Sequence, residues 1–172
     1  MTRRWWVVLV ALLLSVVTMP MAVAARGGTD RPVRAELTGS LTWDIDMTKS
    51  ECPVLTMTES TGTMSHLGKV SASWRHCPLM DDSGGYENGH VVFTAANGNT
   101  LKAVYETPDG ELPWDLDVVG GTGRFQRATG TLKLDRVEVD GAWDCQGEGD
   151  DEFCLPVEPW SWEASISGRL SY

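Results

Sequence analysis

Apolar and polar residues alternate with a period of two along several segments of the chain. Because successive side chains of a β-strand point to opposite faces, this alternation predicts strands that bury one face. No segment shows the 3.6-residue spacing that is typical of an amphipathic helix. The apolar positions are Leu37, Leu41, Trp43 and Ile45; Val70, Ala72 and Trp74; Leu101, Ala103 and Tyr105; Trp114, Leu116 and Val118; and Trp160, Trp162, Ala164, Ile166 and Leu170.

The pattern predicts eight strands joined by short turns. Asn97-Gly98 is typical of a tight hairpin, and Pro108-Asp109-Gly110 is typical of a turn between two strands. Short turns favour antiparallel neighbours, and closing such a sheet removes its free edges. We therefore expect an all-β fold, an eight-stranded antiparallel up-and-down barrel. The predicted strands cover residues 35–46, 54–66, 68–77, 89–96, 99–107, 113–119, 129–139 and 160–171.

A glycine-rich stretch follows the sixth predicted strand. It reads Val119-Gly120-Gly121-Thr122-Gly123-Arg124-Phe125 and is followed by Ala128 and Gly130. This stretch resembles the glycine motif of plant dirigent proteins and of the allene oxide cyclase barrel-like group. Residues 65–70 and 92–101 resemble hairpin turns of the same families. The resemblance implies a calycin-like barrel with a central cavity, and an activity in epoxide cyclisation or in steering radical coupling. No catalytic residue of those families maps onto this sequence by motif.

The first 24 residues have the parts of a secretory signal peptide. Thr2-Arg3-Arg4 is a basic start, residues 5–17 are an almost unbroken apolar run, and Ala22-Val23-Ala24 supplies small residues for cleavage. A membrane anchor is the alternative, but a membrane span needs about 20 residues. We expect a signal peptide over 1–24, a flexible leader over 25–34 and a barrel domain over 35–172. The protein would then be secreted or extracytoplasmic, by general or twin-arginine export.

The chain is acidic, with a formal net charge of −10. Signal cleavage would remove Arg3 and Arg4 and lower this charge to about −12. Such a charge argues against nucleic acid and anionic membranes as partners and suits solubility outside the cell. We expect no membrane span after signal cleavage, and the sequence specifies no oligomeric state.

Four cysteines allow three disulfide pairings. A hairpin turning near residue 67 brings Cys52 and Cys77 towards one end of the barrel, and Cys145 and Cys154 lie in one acidic loop, so we predict those two bridges. The alternative is a metal site using Cys77, His76 and His90, but export favours bridges and no Cys-x-x-Cys or paired histidine spacing occurs. The loop over 144–154 does not match a calcium-binding loop, and we interpret it as solvated and pinned by its bridge.

No catalytic motif is present, and His66 and His90 are expected at the surface. Aromatic side chains are instead placed in the inward register, and an eight-stranded barrel either fills its interior or holds one small ligand. We predict a binding module for a small hydrophobic molecule, without a cofactor or metal. The alternatives are a cyclase or steering protein, which needs polar groups that the alternation seldom places inside, and a cell-envelope structural or interaction protein with a filled barrel. The expected cavity-lining residues are Trp43, Trp74, Phe93, Tyr105, Trp114, Leu116 and Trp162.

Overall fold

The protein is an all-β molecule whose eight strands close into one antiparallel barrel, as the alternation predicts. The computed structural model describes residues 29–147 and 153–172, so the predicted signal peptide lies outside the described residues. No helix within these ranges is long and apolar enough to cross a membrane. The strands are β1 (Arg31–Ile45), β2 (Val54–Met64), β3 (Gly68–Pro78), β4 (Tyr86–Ala95), β5 (Thr100–Thr107), β6 (Trp114–Gly121), β7 (Thr129–Gln146) and β8 (Phe153–Ser171), with a short 3₁₀-helix over Gly123–Phe125.

Strand β1 begins four residues earlier than expected, which corrects the predicted leader over 25–34. Residues 31–34 pair with β8, and Val33 lies directly opposite Gly168. Val33 is buried and continues the inward register of Ala35 and Leu37. This pairing closes the barrel between its first and last strands. It depends on a partner far along the chain, which the local sequence around Pro32 does not reveal.

Apolar side chains fill one half of the barrel, which we call the closed end. It lies towards the turns at residues 65–67, 96–99 and 122–128. Phe125 of the 3₁₀-helix is buried there and packs against Tyr172, with ring centroids 4.9 Å apart. The fully buried side chains of the core include Phe93, Leu37, Leu101, Leu116, Leu132, Leu134, Leu170, Val33 and Val91.

The glycine motif turns the chain tightly at this closed end. Gly121 passes so close to β5 that a Cβ there would stand 2.0 Å from the carbonyl oxygen of Thr100. Gly123 has a positive φ of 58°, which favours glycine. The side chain of Thr122 then accepts a hydrogen bond from the amide of Thr100 at 2.8 Å. The motif therefore serves to fix the β6–β7 connection against β5.

Strands β7 and β8 extend beyond the rest of the barrel at the opposite, open end. Their pairing continues from Ala142 opposite Val157 to Gln146 opposite Phe153, and we call residues 142–146 and 153–157 the ribbon. This corrects both ends of the predicted loop over 144–154, since residues 144–146 and 153–154 are strand. The glycines and carboxylates of this segment are typical of a loop, whereas the strand conformation of residues 144–146 and 153–154 comes from pairing between β7 and β8.

Both predicted disulfides are present. The Cys52–Cys77 bond joins the segment before β2 to the end of β3, and the Cys145–Cys154 bond crosses the ribbon between directly opposed residues. The alternative metal site does not assemble, because Cys77 is in a disulfide and His90 is exposed on the outer surface. Two disulfides are compatible with an extracellular protein.

Candidate ligand-binding cavity

A cavity of about 280 Å³ opens at the end of the barrel opposite Phe125. Every strand supplies at least one residue to its wall, because the inward register of each strand continues past the filled core. The loop between β3 and β4 covers part of the opening. The lining residues are Leu41, Trp43, Thr56, Thr58, Trp74, His76, Pro78, Leu79, Gly84, Gly85, Tyr86, Tyr105, Trp114, Leu134, Val137, Val139, Trp160 and Trp162.

The structure brings five of the seven expected lining residues to the cavity wall. These are Trp43, Trp74, Tyr105, Trp114 and Trp162. The other two, Phe93 and Leu116, have no exposed surface and lie deeper, in the packed core. Period-two alternation identifies which side chains point inward but not how far along the barrel axis each one sits, which explains the difference.

Trp74 is the centre of the aromatic wall. Its ring lies 5.4 Å from that of Trp162, 6.1 Å from that of Tyr105 and 5.6 Å from that of Phe93, measured between centroids. Its indole N–H donates to the hydroxyl oxygen of Ser60 at 3.3 Å. Because this donor has a partner, the ring holds a fixed orientation and presents carbon surface to the cavity.

A second aromatic group stands at the mouth. Trp160 contacts Trp43 edge-on, with centroids 4.9 Å apart, and contacts Trp143 of the ribbon at 4.7 Å. The Trp160 ring lies over Gly141, and its N–H donates to the carbonyl of Ala142 at 3.1 Å. The ribbon therefore anchors one side of the cavity opening.

His76 and Tyr105 form a polar pair in the cavity wall. His76 Nδ1 lies 2.8 Å from the Tyr105 hydroxyl, and both side chains are buried. Tyr86 packs on the imidazole at 4.2 Å, and Trp114 lies at 6.1 Å. Burial lowers the pKa of His76 to about 4, so the imidazole is neutral at neutral pH.

The neighbouring phenols are neutral as well. Burial raises the pKa of Tyr105, with a smaller contribution from Tyr86, and burial also raises the pKa of Tyr86. No charged residue lines the cavity within the described part of the chain. The site is therefore an uncharged chamber with a few hydrogen-bonding groups.

The polar residues of the wall were not identified from the sequence, and the expectation that few polar groups face the interior was wrong. Thr56, Thr58, Ser60 and His76 are all buried and inward-facing. A signal for His76 existed, since it continues the Val70, Ala72, Trp74 register by one more step. The threonines gave no such signal, because strand β2 has no regular apolar face.

Comparison with known proteins does not identify the chain. No protein-family model matches the sequence, and no curated protein matches it either. The likeness of its glycine motif to the dirigent and allene oxide cyclase families stays a prediction.

Proposed function

We propose that the protein binds a small, largely apolar and uncharged molecule in this cavity. The observation that carries the proposal is the cavity itself, about 280 Å³ in volume, walled by aromatic and aliphatic side chains from the whole barrel. Ligand pockets in proteins are mostly apolar concavities with a few well-placed polar groups, and barrel mouths are a common location. A filled structural barrel has less support, since its interior would leave no such volume.

The volume limits the size of the ligand. At about 280 Å³ the cavity lies just below the range of about 300–1,000 Å³ that is usual for pockets of drug-sized ligands. A bicyclic aromatic molecule suits a cavity of this volume. A longer ligand would extend through the open mouth.

We propose that the protein binds its ligand outside the cytoplasm. The two disulfides and the signal-like N-terminus support this location. The acidic surface keeps the domain soluble there, while the uncharged cavity accepts ligands that partition poorly into water.

Binding of naphthalene, followed by quenching of tryptophan fluorescence and by calorimetry, tests the proposal. Thr58 faces the cavity, so the larger ring in Thr58→Phe should occupy part of it and weaken naphthalene binding. Thr61 is an exposed threonine on the same strand, and Thr61→Phe is the matched control that should bind as the parent protein does. Failure of the parent protein to bind naphthalene, or equal binding by both variants, would contradict the proposal.

A cyclase or steering activity is the second candidate, and the His76–Tyr105 pair is the observation that favours it. When Nδ1–H of His76 donates to the Tyr105 oxygen, the tyrosine can give its own proton to an epoxide oxygen as the ring C–O bond breaks. The same N–H then stabilises the phenolate, which recovers a proton as the cyclised product forms. The test is incubation with a short unsaturated epoxide. The cyclised product should show an enantiomeric excess that Tyr105→Phe removes, whereas a racemic product would leave binding as the function.

A further inference from the structure

We propose that the ligand carries one uncharged hydroxyl or carbonyl group, and that His76 and Thr56 bind this group. The inference rests on the proposed binding function and assigns the chemical class of the ligand. It is a flat apolar skeleton with a single neutral polar substituent.

His76 has one ring nitrogen left for a ligand. Its Nδ1 is engaged with the Tyr105 hydroxyl at 2.8 Å, while Nε2 has no hydrogen-bond partner among the described residues. The residue is only 8% exposed and lines the cavity. Within the described chain no fully buried side-chain nitrogen or oxygen lacks a partner, so Nε2 retains open surface, and that surface faces the cavity.

Thr56 is the neighbour of His76 on the cavity wall. It lies directly opposite His76 in the β2–β3 ladder, and both line the cavity. In an antiparallel pair, side chains of opposed residues stand about 5 Å apart on one face, close enough to share a ligand atom. The Thr56 hydroxyl likewise has no hydrogen-bond partner among residues 29–147 and 153–172. The two residues form one polar spot, and the hydroxyls of Thr58 and Tyr86 also line the cavity without a partner among the described residues.

The His76–Tyr105 pair can bind a ligand group that accepts a hydrogen bond or one that donates it. When Tyr105 donates to Nδ1, the imidazole proton sits on Nε2 and is donated to a carbonyl oxygen. When Nδ1–H donates to Tyr105, Nε2 accepts from a ligand hydroxyl. Neither arrangement supplies a charge, so a carboxylate or an ammonium would lose its hydration without a counter-ion. The polar spot therefore selects neutral ligands.

Probes that share the naphthalene skeleton test this selection. In the parent protein, 2-naphthol should bind about three- to tenfold more tightly than naphthalene, as one added hydrogen bond predicts. The ions 2-naphthoate and 2-naphthyltrimethylammonium should bind more weakly than their uncharged counterparts of equal size, 2-acetylnaphthalene and 2-tert-butylnaphthalene. His76→Phe should bring the naphthol-to-naphthalene ratio close to one while naphthalene itself still binds.

Thr56→Val keeps the size of the side chain and removes its hydroxyl, so it should lower the same ratio even if His76→Phe fails to fold. Thr61→Val, on the outer face of the same strand, should leave the ratio unchanged. If the parent protein binds no naphthalene, the binding function itself fails. Naphthalene could bind while the naphthol-to-naphthalene ratio is one or survives both cavity substitutions, or while an ion binds as tightly as its uncharged counterpart; in each of these cases only the assignment of the polar group is overturned.

Discussion

Gly89 lies against the ring of Tyr105, so that a Cβ at position 89 would stand 2.5 Å from Cδ2 of that ring. The two residues are directly opposed in the β4–β5 ladder. The missing side chain lets the tyrosine ring lie flat against β4, where its hydroxyl reaches His76. A glycine on the barrel wall thus positions the polar pair of the cavity.

Gly89→Ala is expected to destabilise the fold by about 1–3 kcal/mol, because the added Cβ would stand 2.5 Å from both the ring and the backbone carbonyl oxygen of Tyr105, so that the ring and the strand would have to shift. Denaturant unfolding measures the change. Combining it with Tyr105→Ala should recover only part of the loss, since the Tyr105 carbonyl oxygen also lies 2.5 Å from the added Cβ. An unchanged unfolding midpoint in the single variant would show that the ring is not confined as described.

Stability should fall as the pH is lowered from about 6.5 towards 4. The unfolded state binds a proton at His76 near its ordinary pKa of 6.5, whereas burial holds the folded pKa at about 4. Because the unfolded state binds more protons in this window, the folded state loses up to about 3 kcal/mol across it. Tyr86 and Tyr105, which face the imidazole, have raised pKa values and stay neutral there.

Two histidine variants separate the contribution of His76 to this loss of stability from that of the other titrating groups. In urea unfolding at pH 7, 5.5 and 4.5, His76→Gln should show a shallower decline than the parent protein. His90→Gln, at an exposed position, should retain the parent decline. Parallel curves for all three proteins would mean that His76 is not held neutral by the fold.

Trp74→Ala should cost about 3–5 kcal/mol, since it removes a large buried ring that packs against Phe93, Tyr105 and Trp162. Trp143 is 56% exposed, and Trp143→Ala should change stability by less than about 1 kcal/mol. Trp114 is half-buried and borders the cavity, so its alanine variant should fall between the two. Thermal or denaturant unfolding of the three variants gives the ranking, and a different order would refute the assigned burial.

The two disulfides should contribute unequally. They close segments with sequence separations of 25 and 9. Loop-closure entropy in the unfolded chain then predicts losses of about 3.5 kcal/mol for Cys52→Ser with Cys77→Ser and about 2.5 kcal/mol for Cys145→Ser with Cys154→Ser. The second pair lies beyond Ala142 and Trp143, the ribbon residues that hold Trp160, so its removal should leave naphthalene affinity within about twofold. A greater loss of affinity there than in the first pair would indicate that those contacts with Trp160 depend on the Cys145–Cys154 bond.

Much of the barrel could be predicted because its signals are local. The alternation identified the inward-facing residues on most strands, and Asn97-Gly98 predicted the hairpin that the structure contains between β4 and β5. The early start of β1 and the ribbon were missed, since both depend on pairing with distant strands. The local sequence around Pro32 and Gly141 does not indicate which strands these segments pair with.

The site was predictable only in part, for a different reason. The assumption that apolar side chains point into the barrel identified the tryptophans, but it could not identify Thr56, which is polar and points inward. Nor could it separate Trp74 at the cavity from Phe93 in the core. Both point inward, and their depth depends on how the strands are staggered around the barrel.

The ribbon has a consequence for self-association. Closure leaves the barrel strands without free edges, but β7 pairs with β6 only up to Leu134 and β8 pairs with β1 only from Trp160 onwards. The ribbon therefore carries two exposed edges, where the backbone of another chain could add as a new strand. Exposed carboxylates at Asp144 of the ribbon and at Glu158 next to it repel an identical acidic chain, and Pro156 and Pro159 of β8 lack the amide donors that such a ladder requires. Intermolecular sheet growth is thus opposed at the place where the barrel's own geometry no longer prevents it.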